Sequence, residues 1–392
     1  MTSEWHEVPL RELVGYISKG IAPSYAEEAS ETTIRVLNQK CNRNFRISYG
    51  DSRLHDTLKK KVPPERYVKP DDILINSTGA GTAGRIAQIE DVSSATTIDG
   101  HMILIRSNRK VTQKFLGYAL KAHQWEVLQL DEGSTGQTEL NRDRLLDEIM
   151  INYPVSFDEQ NAIVGTLESI DRKLIVNEQL NDNLQQQAAA LFSSLYDRSN
   201  TEVRFTDLIQ ILGGGTPKTG ENTYWNGNIA FFTPKDVGTP YTLITEKTIS
   251  KEGLSHCNSR LYPVNTVFVT ARGTVGKVGM SGVPMAMNQS CYALVGKETH
   301  QLLVYFYTLK AVDRLKHKAS GAVFDAITTR DFESEQIMKL SDDDATAFLR
   351  VAEPMFQEVL NNNIENLRLS TLRDSLLPKL MSGEIDVSAV QL

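Results

Sequence analysis

Ile163-Val-Gly-Thr-Leu167-Glu-Ser-Ile170-Asp-Arg-Lys-Leu174-Ile-Val-Asn177-Glu-Gln-Leu-Asn181-Asp-Asn-Leu184 is the stretch whose reading decides the fold of this chain. The numbered positions step 4-3-4-3 and continue through Ala188, Leu191 and Leu195. Adding 185 to each gives Phe348, Ala352, Met355, Val359, Asn362, Asn366, Leu369, Arg373, Leu376 and Leu380, where Arg373 alone breaks the seam. A sustained 3.5-residue period makes a surface for another helix, so the segments read as two coiled-coil helices; two core helices of a bundle are the plainer alternative. Pro154 and Gly383 suit their outer boundaries. Asn at seam positions costs stability but fixes register, a role that falls to Asn177, Asn181, Asn362 and Asn366. An antiparallel pair with residue numbers summing to 543 matches Asn177 with Asn366 and Asn181 with Asn362. A parallel pair also matches Asn with Asn, but connectivity favours antiparallel. The expected rod is about 50 Å long at 1.5 Å per residue.

Outward from the helices the chain repeats itself, and a repeat governs the whole fold. Glu7-Val8-Pro9-Leu10-Arg11-Glu12-Leu13 returns as Glu202-Val203-Arg204-Phe205-Thr206-Asp207-Leu208. Asp72-Ile73-Leu74-Ile75-Asn76 with the glycines Gly79 to Gly84 returns as Thr266-Val267-Phe268-Val269-Thr270 with Gly273 to Gly276, and Asn141-Arg142-Asp143 as Thr329-Arg330-Asp331. The expected domains are 1–152 and 199–344, each globular, with spacer helices 153–198 and 345–383 and a tail 384–392. Within each half, short strands and turns accompany a helical stretch, Phe115–Leu130 and Leu302–Lys316, without βαβ alternation. The expected class is α+β: two similar globular domains at opposite ends of an antiparallel two-helix coiled coil, related by a pseudo-two-fold duplication.

The 392 residues are 40% hydrophobic and 23% charged, the composition of an ordinary globular protein. No run of eighteen apolar residues predicts a membrane span, and the opening residues predict no signal peptide. Cys41, Cys257 and Cys291 form no C-x-x-C pair, which suits a reducing cytoplasm rather than a disulfide scaffold. The net charge of −7 argues against a uniformly basic nucleic-acid binder. Its distribution matters more: residues 153–198 hold 3 basic and 7 acidic side chains, whereas 1–152 hold 20 and 21 and 199–344 hold 15 and 15. The globular halves are near neutral and can each present one basic face.

Catalytic signals are missing where they would be expected. Gly79-Ala80-Gly81-Thr82-Ala83-Gly84 fits a dinucleotide fingerprint, but Arg85-Ile86-Ala87-Gln88-Ile89 alternates like a strand, so the feature reads as a hairpin turn. Gly213-Gly214-Gly215-Thr216-Pro217-Lys218-Thr219 fails the Walker pattern at Pro217, leaving a flexible turn or a loop of N–H groups facing a nucleic-acid phosphate. The seven histidines show no metal spacing, and no nucleophile elbow or Asn-Pro-Pro-aromatic tetrapeptide occurs. The chain reads as non-catalytic. What remains is a binding inventory: Lys59, Lys60 and Lys61 with Arg53, Arg66 and Lys69, and Lys218, Trp225, Lys235, Arg272 and Lys277 near turns. Two matching domains on a rod suit a ligand with two spaced half-sites, for which duplex DNA is the obvious candidate.

Several motifs carry a family resemblance over essentially the whole chain. They are Gly214-Gly215-Thr216-Pro217, Phe232-Thr233-Pro234-Lys235-Asp236-Val237, Ala271-Arg272-Gly273-Thr274-Val275-Gly276-Lys277, Asn288-Gln289-Ser290 and the closing Leu376-Leu377-Pro378-Lys379-Leu380-Met381-Ser382-Gly383. In these the chain resembles the specificity subunits of type I restriction-modification systems. The first half departs at Gly20-Ile21-Ala22-Pro23. The resemblance implies that each domain is a target-recognition domain reading one half of a bipartite, asymmetric site on double-stranded DNA. It implies helices that set the gap and dock two methyltransferase subunits, joined by motor-nuclease subunits. The chain itself would hold no cofactor or metal: S-adenosylmethionine belongs to the methyltransferases, ATP and Mg to the motor-nuclease. A methylation-only system or a coiled-coil protein scaffold are the alternatives.

On that reading Lys59, Lys60, Lys61, Lys218, Lys235, Arg272 and Lys277 position the duplex through phosphates. Asn76, Thr78, Thr216, Asn288, Gln289 and, on the loop Gly133-Ser134-Thr135-Gly136-Gln137, Gln137 are the candidates for base edges. Lys235→Ala is then expected to weaken binding to all sequences alike and to lower the salt slope of the affinity by about one; a changed base preference would refute a phosphate role.

Overall fold

Strand Ile73–Asn76 is apolar at consecutive positions because both of its faces are covered. Successive side chains of a strand point to opposite sides. Ile73 and Ile75 join Phe115, Leu116, Ala119 and Leu120 of helix Gln113–Ala122 in one core. Leu74 turns the other way, onto Leu37, Cys41, Val68 and Ile98. The computed structural model describes residues 4–132, 139–238, 240–318 and 325–387. Its chain divides into two units, Met1–Lys173 with Leu369–Leu392, and Leu174–Arg368.

In the first unit a four-stranded antiparallel sheet runs Val14–Lys19, Met102–Ser107, Ile73–Asn76, Ile86–Gln88, with Leu74 opposite Leu104. A second sheet orders Thr96–Ile98, Thr33–Leu37, Arg53–Asp56 and Tyr25–Ala26, its first pair parallel. Strand Trp5–Pro9 pairs with Met150–Pro154, Val8 opposite Ile151, and so joins the two ends of the globular half. The expected helix Phe115–Leu130 is two pieces, Gln113–Ala122 and Gln124–Leu128, separated at His123.

The second unit repeats the order of the four main-sheet strands, with a fifth strand added there and three strands rather than four in its second sheet. Its main sheet runs Ile209–Gly213, Cys291–Gly296, Val267–Thr270, Val278–Ser281, extended by Tyr241–Thr242. Phe268 faces Phe232, Tyr262, Met285 and Met287, while Val267 and Val269 face the core that includes helix Gln301–Lys318. Strand Met285–Met287 runs parallel to Trp225–Phe232, as Thr96–Ile98 does to Thr33–Leu37. Thr201–Arg204 pairs with Gln336–Lys339, Val203 opposite Ile337. The repeat in the sequence is therefore a repeat of topology, and the class is α+β.

The first long helix spans Phe157–Asp197, beginning only after Pro154 has closed the preceding strand; the second spans Asp342–Met381 and passes through Pro354 and Pro378, each of which removes one intrahelical hydrogen bond. Inside the second unit Asn177 Nδ2 donates to Asn366 Oδ1 at 2.9 Å and to Glu365 Oε2 at 2.7 Å. Asn362 Nδ2 donates to Asn181 Oδ1, and Asn181 Nδ2 to Asn363 Oδ1, both at 2.9 Å. Partner numbers fall as the first helix rises, so the helices run antiparallel there, with sums of 543 for the pairs Asn177–Asn366 and Asn181–Asn362. Here the helices are fastened to the globular part by rings: Phe192 stacks on Phe306 at 4.9 Å and meets Phe348 edge-on at 5.5 Å.

The first unit fastens its helix segments differently. Asp171 Oδ2 accepts from Tyr118 and from Lys121, both at 2.9 Å, and Oδ1 accepts from Arg373 at 3.0 Å. Arg373, the residue that interrupts the apolar seam, is thereby neutralised with its side chain only 17% exposed. Burial pushes the Asp171 carboxyl up, but Lys121 and Arg373 outweigh it and hold the group below the ordinary carboxylate range. Its stabilisation is therefore present at neutral pH and is lost as the pH falls through that depressed value. Asp171→Ala leaves the buried Lys121 without its anion and Arg373 with Asp374 alone, and is expected to cost roughly 3–5 kcal/mol, read as a lower urea midpoint; an unshifted midpoint would show the network to be dispensable.

Candidate nucleic-acid interface

Each main sheet ends in a junction of loops at the polar end of its buried central strand. In the second unit the backbone leaving strand Ile209–Gly213 passes so close to another segment that a Cβ on Gly214 would lie 2.2 Å from the Asn288 carbonyl oxygen. One on Gly215 would lie 2.6 Å from the Asn258 nitrogen. Two of the three glycines are thus demanded by close backbone approach rather than by flexibility. The same crossing recurs in the first unit, where a Cβ on Gly20 would lie 2.1 Å from the Asp99 carbonyl oxygen. Its next residue is Ile21, buried and bridged to Asp99, so the departure from the Gly-Gly-Thr-Pro pattern leaves the crossing intact.

The glycine turns are hairpins, as the alternation after Gly84 predicts. Gly84 N donates to Asn76 O and Gly276 N to Thr270 O, both at 2.8 Å, so the two turns close alike. Gly79, Gly81, Gly84, Gly273 and Gly276 all have positive φ, which the turns require.

In the second unit the junction brings several expected residues together. Thr216 Oγ1 donates to Gln289 Oε1 across it. Asn288 Oδ1 accepts from Ser290 N at 3.0 Å, and Ala271 N donates to Ser290 O at 2.8 Å, fastening the turn to the hairpin. Arg272 forms a bridge with Ala326. Thr274 Oγ1 donates to Pro234 O at 3.2 Å, which brings the Lys235 segment against the same hairpin. Lys218, Lys235, Arg272 and Lys277 are all exposed. Lys235 lies 3.6 Å from Glu246, whereas Lys218, Arg272 and Lys277 form no ion pair among the described residues. Trp225 donates its indole N–H to Lys218 O at 3.1 Å and meets Phe231 edge-on, so it props the loop.

In the first unit Thr78 Oγ1 lies 2.7 Å from His101 Nδ1 at the equivalent place. Lys60 Nζ donates to Ala22 O at 2.8 Å, on the loop after Gly20. Lys59 stands 3.8 Å from Asp56, and Lys61 is exposed. Asn76 requires a correction, because it is 0% exposed and no base edge can reach it. Its Nδ2 donates to Gln39 O at 3.1 Å and its Oδ1 accepts from Asn42 Nδ2 at 3.2 Å. It braces the hairpin from beneath, as Thr270 does in the second unit by accepting from Lys277 N at 2.9 Å. Gln137 and its loop lie outside the described residues. Sequence reasoning missed His101 and Arg85, which occupy the places of Ser290 and Lys277; comparing the copies position by position would have found both. Among the described residues no group of three His, Cys, Asp or Glu could hold a metal ion, and no helix is long and apolar enough to cross a membrane.

Comparison with known proteins agrees with this architecture. A curated relative, the specificity subunit of the type I restriction enzyme HindI from Haemophilus influenzae, is 28% identical over 186 residues, 46% of this chain and 40% of that one. The MjaIX specificity subunit of Methanocaldococcus jannaschii is 29% identical over 127 residues, 31% of this chain and 29% of that one. The chain thus spans well under half the length of these relatives. The crystal structure of a type I restriction-modification system S subunit from M. genitalium shares the fold, with a TM-score of 0.63 at 16% identity over 97% of this chain and 99% of that one. The family model described as type I restriction modification DNA specificity domain matches residues 2–186 and again 198–339, once for each copy of the plan, and the chain belongs to that family.

Proposed function

We propose that this chain is the DNA-recognition subunit of a type I restriction-modification complex, each globular half reading one half of a bipartite, asymmetric duplex site. The observation that carries the reading is one junction built twice and equipped differently. Both units keep the crossing at Gly20 or Gly214, the glycine hairpin and the turn at 99–101 or 288–290. They differ in the side chains displayed there, Thr78 with His101 in one and Thr216 with Gln289 in the other. One scaffold carrying two sets of polar groups is what reading two different half-sites requires.

The exposed cations of the second unit, Lys218, Arg272 and Lys277, supply the sequence-independent term by contacting phosphates, as do Lys59 and Lys61 in the first. Lys60 contributes less freely, since its ammonium already serves the Ala22 carbonyl. Base edges fall to Thr78, Thr216, Asn288 and Gln289, and Asn76 leaves that set. The long helices set the gap and dock two methyltransferase subunits, which bring S-adenosylmethionine and methylate adenine. Motor-nuclease subunits with ATP and Mg cleave unmodified DNA. None of that chemistry is assigned to this chain.

A map of adenine methylation in the source organism, with and without the gene, is expected to lose one bipartite, asymmetric motif on deletion; an unchanged map would count against the reading. In the assembled complex Lys277→Ala is expected to weaken all sequences equally and lower the salt slope by about one. Lys235→Ala should lower it by less, because Glu246 already neutralises part of that charge.

A further inference from the structure

We propose that His101 is a base-reading residue of the first recognition domain, its imidazole Nε2 presented to one base edge by the hydrogen bond between Thr78 and Nδ1. The inference rests on the reading of the chain as a DNA-recognition subunit and names a residue for it. His101 stands where the turn after strand Thr96–Ile98 meets the glycine hairpin. Its backbone N–H donates to Asp99 Oδ1 at 2.9 Å, and Asp99 is itself buried. Its carbonyl accepts from Ser77 N at 2.8 Å. Nδ1 is engaged by Thr78 Oγ1 at 2.7 Å. Every polar group of the residue is thereby fixed except Nε2, which has no hydrogen-bond partner among the described residues although the residue is exposed.

A surface side chain usually keeps its rotamer freedom, because ordering it costs entropy and an exposed ring gains little from burial. Here the ring of an exposed residue is held and one nitrogen is left without a partner among the described residues. That is the geometry of a pre-organised recognition group, positioned by a rigid neighbour rather than by the ligand.

The second unit supplies an independent observation. Ser290 occupies the place of His101, since its carbonyl accepts from Ala271 N at 2.8 Å as that of His101 accepts from Ser77 N. The polar pair fastened across that junction is instead Thr216 with Gln289. The backbone frame is retained, but the polar group stands one residue earlier on the turn: the imidazole of His101 in one half, and the carboxamide of Gln289, at the place of Gly100, in the other. A carboxamide can bond N6 and N7 of adenine together, whereas an imidazole nitrogen offers a single donor or acceptor, so the two frames favour different base edges.

The test replaces the chain in its source strain by His101→Ala, His101→Gln or Thr78→Val and maps adenine methylation with the full complex present. Discrimination is expected to fall roughly threefold to tenfold at one position of one half-site in His101→Ala, with the other half-site unchanged. His101→Gln should relax or alter that same position, and Thr78→Val should relax it partially. Should His101→Ala fail to accumulate, His101→Gln carries the test alone. Retention of every motif position in both His101 variants overturns the inference. So does a uniform loss of methylation with no position relaxed, which would mark the Thr78 bond as a structural tie. A wild-type map without any bipartite motif would instead sink the reading on which the inference stands.

Discussion

Burial of the central strand on both faces is the constraint from which the rest of each unit follows. With Ile73–Asn76 and Val267–Thr270 enclosed between two apolar layers, the polar residue that ends each strand cannot turn to water. Its groups must be satisfied inside the protein. Asn76 does so through Gln39 and Asn42, and Thr270 through the backbone of the hairpin it precedes. The glycine turns are therefore anchored from below, and the loops that gather on them inherit that fixed position.

The two long helices and the central strands were legible because each rests on a local pattern. The 3.5-residue step with paired Asn announces a helix seam, and an uninterrupted Ile-Leu-Ile or Val-Phe-Val announces a strand covered on both sides. The second sheet of each unit was not legible. Thr33–Leu37 and Arg53–Asp56 are half-buried, and one of their pairings is parallel and joins strands about sixty residues apart. No short-range pattern records such a partner. Asn76 was misjudged for a related reason, since composition reports that a side chain is polar and says nothing of whether water reaches it. The same blindness hid Glu335, a wholly buried carboxylate near Arg314 and Lys318, at the place where the first unit has Ile149.

The copies differ where the globular parts meet their helix segments. One unit uses a carboxylate shared by Tyr118, Lys121 and Arg373; the other uses Phe192 among Phe306, Tyr307 and Phe348. A charge network has exacting geometry and is weakened by removing any member, whereas stacked rings tolerate small displacements and gain by area. Apolar helix residues enter the core in both units, Ile163, Leu167 and Leu380 in one and Phe192, Phe348 and Val359 in the other, and the charge network adds to the first a contribution sensitive to salt and acidity.

The crossing at Gly20 and Gly214 has an evolutionary side. At that residue no side chain fits, so the position is closed to change for as long as the sheet is to form. The next residue is held as well, Ile21 by burial and Gly215 by its own close approach, but two residues on, Ala22 and Thr216 already differ and reach the surface. A lineage can therefore rewrite the displayed groups in small steps without passing through an unfolded ancestor. Novel preferences become accessible by drift across permissive neighbours, while the forbidden position keeps the frame in which they are presented.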